Sequence, residues 1–172
     1  MKHNRYCIEN YPWHIILIAN IVSISIYASG AIILSAVGLI PVVLYLVFIL
    51  FLEFRLVKVS CTKCYYYDRY CAFGKGKLSA LFFKKEEPSS FQQKNFSWYS
   101  LLPDMMVSII PLVFGIYILL SGFSWIILLL MLVLILLSSF GNGWIRGSMA
   151  CKYCKQKELG CQAEQLFNKN RK

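Results

Sequence analysis

No Lys, Arg, Asp or Glu occurs between Asn10 and Leu52, nor between Met105 and Trp144. No other feature of the sequence restricts the fold so severely. A helix crosses the hydrocarbon core of a bilayer in about 20 residues at 1.5 Å rise per residue. Each charge-free stretch therefore has length for two spans joined by a tight turn, and the turns are expected at Ser29-Gly30 and Ser121-Gly122. A chain that is 58% hydrophobic could instead build a large water-soluble core, but residues 126–137 have no polar face for water to meet. The expected fold class is all-α: a polytopic membrane protein with four transmembrane helices, arranged as two hairpins in a duplicated architecture.

The charges orient this arrangement. All 18 Lys and Arg fall in three segments, two in residues 1–14, nine in 53–94 and seven in 146–172, and the two apolar turns carry none. By the positive-inside rule the three basic segments belong in the cytoplasm, so each charge-free stretch crosses and returns. The expected organisation is a cytoplasmic N-terminus (1–14), a first transmembrane hairpin (15–57), a cytoplasmic Cys segment with an interfacial loop (58–103), a second hairpin (104–145) and a cytoplasmic Cys-rich tail (146–172). Such a chain is a multi-pass protein of the plasma or inner membrane with both termini cytoplasmic. Topology and anionic lipid head groups account for the net charge of +10 without nucleic acid. The expected partners are the lipid bilayer and a cytoplasmic protein, with self-association as a further possibility.

Six of the seven cysteines obey one spacing rule. Cys61, Cys64 and Cys71 read C-x2-C-x6-C, and so do Cys151, Cys154 and Cys161. Thiolates three residues apart can hold one metal together, and two such sets could close a shared centre. On a straight helix the third cysteine would lie about 15 Å along the axis from the first. Each segment must therefore turn at its CxxC and bend back. Gly160 before Cys161, and Gly74 and Gly76 after Cys71, are the residues expected to allow it. Lys63, Arg69, Lys75, Lys77, Lys152, Lys155 and Lys157 surround the triplets and would offset the negative charge of a thiolate cluster.

The two segments resemble the halves of the binuclear zinc cluster of fungal transcription factors, in which six cysteines hold two zinc ions. CKYCKQKELGC is the closer half, and CTKCYYYDRYC carries tyrosines where that family is commonly basic. The resemblance implies that Cys61, Cys64, Cys71, Cys151, Cys154 and Cys161 are the ligands, with one cysteine of each half bridging the metals. It does not imply DNA binding, because a membrane hairpin separates the halves here. Zinc accounts for six thiols more economically than an iron–sulfur cluster, which takes four. The other readings are buried structural cysteines, disulfides in an oxidising compartment, and reactive CxxC thiols in a membrane redox or electron-transfer protein. Cys7, His3 and His14 share the expected side but are left out of the ligand set.

The remaining signals are modest. Each half also ends in a Leu-Phe pair, Leu81-Phe82 and Leu166-Phe167. The central loop is aromatic, with Phe91, Phe96, Trp98 and Tyr99 beyond the apolar run 78–83, and suits a segment at the membrane surface with Lys84, Lys85 and Lys94 toward phosphates. Pro41, Pro103 and Pro111 are expected at helix starts or kinks. Glu53 and Asp104 are expected as helix-end residues, and Asn20 as a packing residue. No phosphate loop, HExxH or nucleophile elbow occurs, so a structural, docking or sensing role is expected rather than an enzyme.

Overall fold

The computed structural model describes residues 7–87 and 98–157, apart from the side chains of residues 98–101. Five helices of eight residues or more are present among them: α1 (Trp13–Ser35), α2 (Leu39–Val59), α3 (Lys75–Phe82), α4 (Trp98–Ser121) and α5 (Trp125–Leu136). Beyond α5 the chain continues through wide π-helical turns at Leu137–Gly141 and Ile145–Ala150. Four stretches are long and apolar enough to cross a membrane: Trp13–Ser35, Leu39–Lys63, Leu102–Ser121 and Trp125–Tyr153. Apolar side chains stand on their outer surfaces, with Leu39 77% and Leu120 84% exposed, which is tolerable against lipid and costly against water. The described residues include no strand, only a single parallel bridge between Ile8 and Cys154.

The contacts divide the chain into two compact units. One comprises Met1–Asn20, Arg55–Phe96 and Trp144–Lys172, the other Ile21–Phe54 and Ser97–Gly143. The division follows charge, because every Lys and Arg of the chain belongs to the first unit and none to the second. We call the first the basic unit and the second the span unit.

The span unit packs around Ile26, Ile33, Leu34, Tyr45, Ile49, Leu52, Val107, Ile127, Met131 and Leu134. Its first turn differs from the sequence expectation. Helix α1 runs straight through Ser29-Gly30, and the chain reverses at Ala36–Gly38, where Gly38 takes φ +149°. Gly30 serves packing instead, since a Cβ there would strike the Tyr45 hydroxyl and crowd the Pro111 ring. Small residues let transmembrane helices approach in this way. The second turn is where it was expected, after Ser121.

Proline explains the tyrosine beside Gly30. Pro111 lies inside α4 and has no N–H, so the carbonyl of Val107 one turn earlier loses its helical partner. The Tyr45 hydroxyl donates to that carbonyl at 2.8 Å and restores the bond from a neighbouring helix. Pro41 sits in the first turn of α2, where a missing N–H costs nothing. Glu53, near the end of α2, accepts a 2.7 Å hydrogen bond from the Tyr27 hydroxyl, which makes it part of the α1–α2 packing.

Candidate functional site

The basic unit is assembled from three segments far apart in sequence, and tyrosine joins them. Tyr66 lies at the centre, 2% exposed. Its hydroxyl donates to the Ile8 carbonyl and accepts from the Lys155 backbone N–H at 3.0 Å, so one oxygen bonds the N-terminal, central and C-terminal segments at once. Tyr11 donates to the Ala150 carbonyl, and its ring centroid lies 5.6 Å from that of Tyr66. The Tyr65 N–H donates to Gln156 Oε1 at 2.6 Å, the Ile8 N–H to the Tyr153 carbonyl at 2.9 Å, and the Tyr11 N–H to the Tyr70 carbonyl at 2.9 Å. Asn20 donates to the carbonyls of Ile16 and Phe73, which gives it the packing role expected of it. Burial pushes the Tyr11 and Tyr66 hydroxyls well above the usual phenol range, so both stay protonated and able to donate.

The cysteines lie around this centre. Each CxxC closes one 3-10 turn, Cys61–Lys63 and Cys151–Tyr153, in which the second cysteine's N–H bonds the first one's carbonyl at 3.3 and 3.4 Å. The chain after Cys64 bends back through Asp68, a non-glycine residue at φ 59° whose N–H reaches the Gly76 carbonyl. The turn and the return expected from the spacing are thus present in the central segment. Gly74 and Gly76 open α3 rather than ending a helix.

The expected metal centre does not follow from them. Among the described residues no group of three or more His, Cys, Asp or Glu side chains stands where it could hold a metal ion. Neither zinc nor an iron–sulfur cluster fits this arrangement, and the resemblance to the binuclear zinc cluster stops at spacing. The physical reason is what the sulfurs do instead. Cys64, Cys71 and Cys154 pack against the apolar core of Tyr11, Tyr66, Ala72 and Ala150, together with Ile8, Ile15 and Ile16. Cys61, Cys64, Cys71, Cys151 and Cys154 form no disulfide among the described residues, and burial pushes the Cys64 thiol up to about 12. A metal ligand must be a thiolate, whereas a buried protonated thiol behaves as a small hydrophobe. The raised Cys64 thiol favours the protonated form over a reactive thiolate. Cys161 lies outside the described residues, as do Gly160, His3, Lys94, Phe91, Phe96 and the Leu166-Phe167 pair.

Five of the seven cations expected to offset a cluster have other partners. Lys63 pairs with Glu86 at 3.3 Å, Lys77 with Asp68 at 3.0 Å and Lys155 with Glu9 at 2.8 Å. The Tyr65 ring carries the Arg69 guanidinium at 4.9 Å and the Lys155 ammonium at 5.1 Å, and Lys152 stands 5.2 Å from the Tyr153 ring.

Sequence reasoning missed Tyr66 and Gln156, the last 2% exposed with no partner for its Nε2 among the described residues. The run Tyr65-Tyr66-Tyr67 directly after a CxxC was the available signal. No family model matches the chain, and no curated protein or solved structure does.

Proposed function

We propose that the chain is a non-catalytic multi-pass membrane protein whose two termini and central segment meet in the cytoplasm and form one basic platform there. The observation that supports this reading is the Tyr66 hydroxyl, bonded to Ile8 and to Lys155. Segments that share one hydrogen-bonding atom must share one side of a bilayer. Each charge-free stretch must then cross an even number of times, and the lysines and arginines of that unit select the cytoplasm. The cation-bearing rings of Tyr65 and Tyr153 suit an acidic cytoplasmic protein as docking partner.

Protease protection tests the topology. Epitope tags are placed at both termini and between Gly122 and Phe123, and intact cells are treated with protease. The turn tag is expected to be lost and the terminal tags retained. Loss of either terminal tag from sealed cells would overturn the reading.

A further inference from the structure

Helix α3 is amphipathic in the inverted sense. Its small residues face inward: Gly76 is buried so closely that a Cβ would run into the carbonyls of Tyr66 and Arg69, and Ser79 is fully buried with its hydroxyl donating to the Gly76 carbonyl. Its large apolar residues face outward, with Leu78 46%, Leu81 75% and Phe82 65% exposed. At 100° per residue these three fall within about 100° of arc, with Gly76 opposite and Ser79 on the flank toward it. The geometry assigns this face to the bilayer surface: we propose that α3 lies in the plane of the membrane, with Leu78, Leu81 and Phe82 inserted among the upper acyl chains of an anionic leaflet.

Three observations select lipid over another occupant. The face is bordered by Lys77 and, just past the helix, by the exposed Lys84 and Lys85. An apolar strip edged with lysine is the pattern of interfacial helices, in which ammonium groups sit at phosphate depth. Of the nearby acids, Asp68 pairs with Lys77 and Glu86 with Lys63, which leaves Lys84 and Lys85 against Glu87 and a net positive margin. Finally, α3 packs against the Cys61–Lys63 turn that directly follows α2, which holds it at the end of a candidate span.

The proposal rests on the membrane-embedded platform above, and its test is independent of the tag experiment. The photoreactive variant Phe82→p-benzoylphenylalanine is reconstituted as the full chain in nanodiscs of phosphatidylglycerol with phosphatidylcholine, or of phosphatidylcholine alone. Illumination is expected to give a protein–lipid adduct by mass spectrometry in the anionic discs. The yield should fall roughly 25-fold when Lys84→Gln and Lys85→Gln are added, because each lysine near an anionic surface contributes about a fivefold preference. A protein–protein adduct at dimer mass, which would make the strip a self-association surface, overturns the proposal, and so does the absence of any lipid adduct. Protected terminal tags with no lipid adduct would sink this inference alone. A lipid adduct with cleaved terminal tags would sink the topology alone.

Discussion

Both units place tyrosine hydroxyls on backbone carbonyls, for opposite reasons. In the span unit, Tyr45 repairs one carbonyl that Pro111 leaves open, in a backbone bonded mainly within its helices. In the basic unit there is no long helix and no sheet among the described residues to pair its loops. Tyr11, Tyr66, Tyr67 and Gln156 therefore hold backbone groups across as many as 139 positions of sequence. The span unit would keep its secondary structure without its tyrosine. The basic unit uses its tyrosines to join segments that no strand pairing connects.

That contrast can be broken in several ways. The largest expected effect is kinetic: with its thiol pushed up from 9.0 to about 12, Cys64 carries about 1,000-fold less thiolate than an ordinary cysteine. In the native protein at pH 8 it should remain unmodified by N-ethylmaleimide while Cys64 in SDS reacts, as read by peptide mass spectrometry. Reaction at an ordinary rate would show that the basic unit's interior is wet and the contrast misdrawn. Next is Gly76→Ala, whose methyl group meets backbone carbonyls that cannot swing aside. It should cost about 3 kcal/mol of the basic unit's stability, seen as faster proteolysis there with unchanged far-ultraviolet helicity.

Tyr66→Phe keeps the ring and removes only the shared oxygen, leaving two backbone groups unpaired. A loss of about 1–3 kcal/mol in denaturant unfolding is expected. Tyr45→Phe, the matching change in the span unit, should cost only roughly 0.6–1.7 kcal/mol, the range for hydrogen bonds between membrane helices. Equal losses from the two substitutions would erase the distinction between the units.

The smallest effect is at the Lys155–Glu9 pair. The Lys155 ammonium holds the Glu9 carboxyl below its ordinary 4.5, so the pair's contribution is present above that pH and fades as the pH falls through the folded value. Both groups are solvent-exposed and screened, so Lys155→Ala should shift the melting temperature immeasurably at physiological salt.

What was legible in the sequence was local. The spans follow from charge-free length, a property of each stretch alone, and the second turn at Ser121-Gly122 follows from small residues between apolar runs. The first turn was misread because Ser29-Gly30 looks the same in sequence. The reason for Gly30 is Tyr45 on another helix, a contact that no local pattern announces. The cysteines were misread for a related reason. A C-x2-C spacing specifies a 3-10 turn, and both turns formed, but spacing does not say where the sulfurs point.

By itself the sequence determined the number of apolar spans and the segregation of every cation into three segments, because transfer into lipid depends on composition summed over about 20 residues. Only the tertiary structure decided that these three segments form one unit around Tyr66, that Cys64, Cys71 and Cys154 pack as hydrophobes, and that α3 turns its large apolar side chains outward. Those outcomes depend on which atoms come within about 3 Å of each other across long sequence separations, and burial acts on whichever face the packing leaves inside.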